Sequence, residues 1–143
     1  MTEQENTKLA KAFIDNLNAH DLDKIDALQA EDVKTDAPGA PPLTTRDQGR
    51  AYTQGFLTAF PDLHWEVPQT VAQGDYVVLN WVGTGTHTGP LTTPSGGVIP
   101  PTGKKATVPG SNTFEIKGGK VTHVWIYWDM AGMLGQLGLM PPM

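Results

Sequence analysis

The sequence contains no cysteine. Disulfides, thiolate metal sites, iron–sulfur clusters and cysteine nucleophiles are therefore excluded. Basic residues are scarce: 10 Lys and Arg stand against 15 Asp and Glu, a formal charge of −5. A nucleic-acid binder needs a dense basic face, so no nucleic-acid partner is expected. No apolar run approaches the roughly 18 residues of a membrane span. The N-terminal residues include Glu3, Glu5, Lys8, Lys11 and Asp15 where a signal peptide would be apolar. The expected setting is a reducing cytoplasm without membrane contact. His20, His64, His87 and His123 are spread too widely to suggest ligand spacing, so no metal site is expected. What the chain does have is turn chemistry, with 16 Gly and 12 Pro, alongside 38% hydrophobic residues. Its 143 residues suit one domain, 1–143, built from short elements around a single core.

Leu9, Ala10, Phe13, Ile14 and Leu17 recur at the helical period and predict a first helix over 4–19. Asp21 is a favoured N-cap for a second, short helix carrying Leu22, Ile25 and Leu28. A short strand is expected over 33–36, then a loop through Ala37-Pro38-Gly39-Ala40-Pro41-Pro42. Thr45-Arg46-Asp47-Gln48 has the capping-box pattern and opens a third helix, which Pro61 stops after Phe60. Strand grammar follows at 63–67 and 76–82, the latter running on toward His87. The Gly-, Pro- and Thr-rich stretch 89–105 reads as a mobile loop. Strands over 106–117 and 121–129 meet at Gly118-Gly119, and Met133, Leu134, Leu137 and Leu139 predict an apolar tail that docks. Helices first and strands after make an α+β domain. Three N-terminal helices would pack on a curved, mainly antiparallel sheet and leave a concave apolar pocket.

A two-residue turn at Gly118-Gly119 sets Lys117 opposite Lys120, Phe114 opposite His123 and Asn112 opposite Trp125. Val121, His123, Trp125, Tyr127 and Asp129 then share a face with Asn112, Phe114 and Ile116, while Val124, Ile126 and Trp128 take the other. A bulge in the hairpin would shift this assignment. Both faces are largely apolar, so a second subunit is expected over one of them. On this register Asp129 is an isolated carboxylate beside aromatic residues, a candidate acid or base. The competing reading makes it the N-cap of a helix beginning at Met130. Asp36 is weighed between a second pocket carboxylate and a solvated loop residue, and His87 between a pocket acid/base and a hydrogen-bonded structural residue. Asp62, after Pro61, reads as a turn residue.

Phe60-Pro61-Asp62, the run Gly83-Thr84-Gly85-Thr86-His87-Thr88-Gly89, Pro100-Pro101-Thr102-Gly103-Lys104, the stretch from Gly119-Lys120-Val121 through Trp125 to Asp129, and Leu134-Gly135-Gln136-Leu137-Gly138 occur in this order. Together they resemble the SnoaL-like polyketide cyclase (ester cyclase) family of the NTF2-like superfamily. The resemblance implies a cone-shaped α+β barrel with a deep pocket and a homodimer built on the sheet. It implies chemistry without cofactor or metal: intramolecular aldol ring closure on a polyketide methyl ester, or a related isomerase or hydrolase reaction on a small hydrophobic or aromatic carbonyl compound. Asp129 matches the family's acid/base position. Asn112 and Tyr127 would then hydrogen-bond an enolate oxygen, and Trp125, Trp81 and Phe56 would wall an aromatic ligand. The alternative is a non-catalytic small-molecule-binding domain of the same fold. Three departures bear on substrate identity: Asp36 where members often carry His, Asn80 before Trp81 where they often carry Arg, and the extra residues Thr92-Thr93-Pro94-Ser95-Gly96-Gly97-Val98.

Overall fold

A computed structural model of the protein describes residues 2–93 and 96–140. Along the chain run α1 (Glu3–Asn18), α2 (Leu22–Leu28), β1 (Gln29–Asp36), α3 (Arg46–Ala59), β2 (His64–Gln73), β3 (Tyr76–Thr86), β4 (Leu91–Thr92), β5 (Val98–Ile99), β6 (Lys105–Lys117), β7 (Lys120–Trp128) and α4 (Met130–Gln136). The main sheet has the order β1-β7-β6-β3-β2. Only the β1–β7 pairing in it is parallel; the others are antiparallel. This is the expected mixed α+β arrangement.

The helix starts follow their caps. Asp21 Oδ1 accepts the Lys24 N–H at 3.1 Å and Thr45 Oγ1 accepts the Gln48 N–H at 3.2 Å. Gln48 reaches back to the Thr44 N–H, one residue earlier than a strict capping box. The apolar stripe of α1 lies on the sheet, with Phe13 meeting Phe114 edge-on at 5.0 Å between ring centroids. Ala10, Ile14, Leu17, Leu22 and Ile25 close the main core over Leu79, Ile116, Val121 and Val124. Each large aliphatic side chain buried there contributes about 1.5–3 kcal/mol. Asp62 does more than shape a turn. Its carboxylate accepts both the backbone N–H of Thr86 (2.7 Å) and its hydroxyl (2.8 Å), tying the end of α3 to the end of β3. These bonds, the Thr86 N–H first, hold Asp62 below the usual carboxylate range.

The stretch 89–105, expected to be a mobile loop, is partly structured. Leu91 and Thr92 pair with Ile99 and Val98. Leu91 is buried in a second core with Phe60, Val108, Met133 and Leu137. The apolar anchor at Leu91 is what the composition of the stretch concealed. The Pro94-Ser95 part of the extra residues lies outside the described residues.

The β6–β7 hairpin contains the decisive irregularity. Lys117 faces Lys120 and Ile116 faces Val121, as a Gly118-Gly119 turn requires. Then Glu115 faces His123, Phe114 faces Val124 and Asn112 faces Ile126, so Thr122 is an extra residue in the ladder. The expected partners of Asn112 and Phe114, Trp125 and His123, are thereby corrected. Side chains alternate with a period of two, so one inserted residue turns the remainder of β7 over. Val124, Ile126 and Trp128 now face inward. The Thr122 hydroxyl secures the bulge by donating to the Glu115 carboxylate at 2.8 Å. Tyr76 donates to the same carboxylate at 3.2 Å. The Thr122 hydroxyl, and after it that of Tyr76, hold Glu115 below the usual carboxylate range. Thr122→Val keeps the shape and removes the donor. Its urea unfolding midpoint should fall by the equivalent of about 1 kcal/mol; an unchanged midpoint would show that the backbone alone holds the bulge.

Candidate functional site

A cavity of about 130 Å³ lies between the inner sheet face and the helices. One water needs roughly 10–15 Å³ on the same scale, so the space is that of about ten waters. Its wall is largely apolar: Phe13 and Leu17 from α1, Ile25 from α2, Phe56 from α3, Val124 and Ile126 from β7. Part of its space comes from missing side chains. Gly83 and Gly85 are inward positions of β3, and Trp65 and Phe60 respectively lie across them. Gly110 lies beneath the Trp81 indole; a Cβ there would overlap the ring and crowd the Tyr127 carbonyl.

Of the polar groups in this wall, Asn112 and Tyr52 are each held by an indole. Trp81 Nε1 donates to Asn112 Oδ1 at 3.0 Å in a buried bond. An indole N–H only donates, so the Asn112 amide has one possible orientation, oxygen toward Trp81. Its Nδ2 has no acceptor among the described residues. Trp128 Nε1 likewise donates to the Tyr52 hydroxyl at 3.2 Å. Phe56 packs edge-on against both rings, with centroids 5.1 Å from Tyr52 and 5.4 Å from Trp128.

Charge enters at one place. Arg50 Nη1 bonds Asp26 at 2.6 Å and Asp23 at 2.8 Å, linking α3 to α2. Asp26 and Arg50 line the cavity and remain partly exposed, which marks them as its rim. Among the described residues Asp26 is the only carboxylate on the lining, and no histidine lies there. The same residues hold no cluster of His, Asp and Glu that could bind a metal ion.

Of the residues singled out from sequence, the cavity brings together Asn112, Trp81 and Phe56. The bulge at Thr122 accounts for three corrections. Trp125 is on the outer face, stacked on His123 at 3.7 Å between centroids. Tyr127 is 60% exposed. Asp129 is exposed, and its Oδ1 accepts the Gly132 N–H at 2.8 Å. It caps α4, as the competing reading held. Asp36 is also off the lining: its Oδ2 bonds His123 Nε2 at 2.8 Å outside the sheet. His87 is fully buried but belongs to the second core, stacked on Phe60. Its Nδ1 accepts the Thr102 N–H at 3.3 Å, so the neutral ring carries its proton on Nε2.

The positions that sequence reading missed are Asp26, Arg50, Tyr52 and Trp128. Asp26 and Arg50 carry no motif and draw no reading from the sequence. Tyr52 lies within the third predicted helix without a signal of its own, and the expected register sets Trp128 on the face opposite Asn112. A Thr beside a Gly-Gly turn was the one signal for the bulge, and it is too common to identify one.

Helices packed on a mainly antiparallel sheet with a cavity between them define an NTF2-like fold. A family model, SnoaL-like polyketide cyclase, matches residues 7–137. The chain belongs to that family. No curated protein matches its sequence significantly. Among solved structures, IdmH of Streptomyces antibioticus, a proposed polyketide cyclase, is 28% identical with a TM-score of 0.77, covering 93% of this chain and 98% of its own. AclR of Streptomyces galilaeus, a proposed hydroxylase, is 25% identical with a TM-score of 0.85 and coverage of 99% and 90%. A proposed SnoaL-like polyketide cyclase of Jannaschia sp. CCS1 is 20% identical with a TM-score of 0.86 and coverage of 98% and 95%.

Burial holds the His87 imidazole below its ordinary range. The unfolded chain therefore takes up this proton first as pH falls. Stability from the neutral ring is complete above pH of about 6.5 and is lost on acidification toward the depressed native value. Urea midpoints measured at pH 7.5 and 5.5 should differ less in His87→Phe than in the wild type. Equal pH sensitivity in the two would remove His87 as a source of it.

Proposed function

We propose that the protein binds a small hydrophobic carbonyl compound in this cavity and enolises it without cofactor, in the manner of a cyclase-type enzyme. One observation carries the reading: the Asn112 amide, with its oxygen committed to Trp81 Nε1 at 3.0 Å, keeps an unpartnered N–H₂ in an apolar wall. That nitrogen faces the cavity space, where a ligand oxygen would supply its acceptor, a bond of about 0.5–1.5 kcal/mol. The same donor strengthens its hold as charge develops on an enolate oxygen. Asp26 is our choice for the carboxylate that accepts the α-proton, because it is on the lining. Asp129 retains its place as the position that matches the family, and the test below decides between them. The alternative is ligand binding without turnover. The inward side chains of β7 favour it, since Val124, Ile126 and Trp128 offer no proton acceptor.

The expected homodimer forms part of this proposal. The outer face exposes Val71, Tyr76 and Tyr127, apolar surface that a second copy would cover. Among the described residues no helix is long and apolar enough to cross a membrane, and we place the protein in the cytoplasm.

The bicyclic ketone 2-tetralone, which has acidic protons beside its carbonyl, serves as probe. In D₂O the wild type should accelerate proton exchange at C1, followed by NMR. Asn112→Leu should weaken binding about tenfold, equivalent to 1.4 kcal/mol. Asp26→Asn should slow exchange by at least about 100-fold with little change in affinity, and Asp129→Asn should leave both intact. Exchange lost only in Asp129→Asn would return the acid/base role to that residue. Binding without exchange would leave the ligand-binding alternative.

A further inference from the structure

The cavity contains a second polar group held by an indole, which the reading above does not use. Tyr52 projects from α3 into the lining. Its oxygen accepts the Trp128 indole N–H at 3.2 Å, and no acceptor among the described residues takes its own proton. Phe56 wedges edge-on against both the Tyr52 and Trp128 rings, so the phenol has little freedom to swing away. The arrangement repeats that of Trp81 and Asn112: an indole donor occupies the acceptor atom and leaves the partner's donor unused.

We infer that Tyr52 is a second hydrogen-bond donor to the ligand, positioned by Trp128, and that the cavity selects molecules carrying two oxygen acceptors on a flat apolar frame, such as a dione. This rests on the carbonyl-binding reading given for Asn112. Gln29, Thr35 and Thr53 also reach the lining, but the two groups held by indoles are the ones with fixed, unused donors. Asn112 Oδ1 and the Tyr52 oxygen each already accept an indole N–H. That leaves one lone pair on each oxygen, whereas Asn112 Nδ2 and the Tyr52 proton have no acceptor at all among the described residues. Carbonyl and enolate oxygens match these two wholly unused donors. Burial raises the Tyr52 phenol above its ordinary value, so it stays a donor at neutral pH. Trp128 acts through Tyr52. It reaches this position only because the Thr122 bulge turns β7 over.

The test compares 1,4-naphthoquinone, which has two carbonyls, with naphthalene, which has none. The absence of cysteine removes the usual site of quinone addition. Isothermal titration gives the affinities, and infrared difference spectra of the ¹³C-labelled quinone report each carbonyl stretch. In Tyr52→Phe the quinone affinity should drop roughly three- to tenfold, the size of one neutral hydrogen bond. Naphthalene affinity should hold within about twofold, and one carbonyl band should move to higher frequency. In Trp128→Phe that band should broaden, as an unanchored hydroxyl samples several directions. Wild-type affinity and spectrum in Tyr52→Phe would overturn the inference, as would an equal loss of both ligands, which marks a packing role. Asn112→Leu separates this result from the parent reading. A band that responds to Asn112→Leu and not to Tyr52→Phe overturns the Tyr52 inference alone. Bands that respond to Tyr52→Phe and not to Asn112→Leu uphold Tyr52 as a donor and overturn the role given to Asn112.

Discussion

The cavity depends on one inserted residue. Between the Gly118-Gly119 turn and the end of β7, Thr122 breaks the pairing with β6 and reverses which side chains face the helices. Strand geometry allows no intermediate outcome, because successive side chains point to opposite faces. With the insertion, Val124, Ile126 and Trp128 enter the cavity lining while Trp125 and Tyr127 leave it. The Glu115 carboxylate holds the extra residue in place, and the Tyr76 hydroxyl shares that carboxylate from the next strand.

From that inversion follows the character of the site. Its inner wall is aromatic and aliphatic, with glycines on β3 and β6 providing room for the rings of Trp65, Phe60 and Trp81 to lie across the sheet. Polar groups survive in such a wall only when hydrogen-bonded, and the low dielectric strengthens the bonds they make. Here the partners are indoles, which donate and cannot accept. That single asymmetry orients Asn112 and leaves its amide donor unpaired. Charge is confined to the rim, where Arg50 is shared between Asp23 and Asp26. Neutral apolar surroundings with donors at fixed places suit the recognition of carbonyl oxygens.

Several residues that carried the family resemblance make contacts that hold the fold together. Asp62 anchors the end of β3 through Thr86. Gln136 makes two bonds to the backbone of Thr107, 2.7 Å from its N–H and 2.9 Å to its carbonyl, docking α4 on β6 as a short strand would. Gly138, with φ of 76°, ends α4 in a left-handed turn closed by the Leu139 N–H on the Leu134 carbonyl. Asp129 begins the same helix. These contacts place Met133 and Leu137 in the second core. Motifs of this kind identify the fold because the fold needs them, whatever ligand it carries.

Local patterns were enough for the helices, their caps, the order of elements and the α+β class, because capping, periodicity and turn chemistry act over a few residues. Of the residues the family resemblance pointed to, Asn112, Trp81 and Phe56 line the cavity, and their facing depends on β3, β6 and α3 alone. The site's remaining members required three dimensions. Tyr52 meets Trp128 across 76 residues, Arg50 meets Asp26 across 24, and the facing of β7 turns on a bulge with no distinctive sequence. A side chain's partners across the core depend on how separate elements pack, and one residue of register is invisible to any pattern that both registers satisfy. Composition and local order thus determined that an apolar pocket would form. Packing decided which groups line it, and it left Asp129 at the surface.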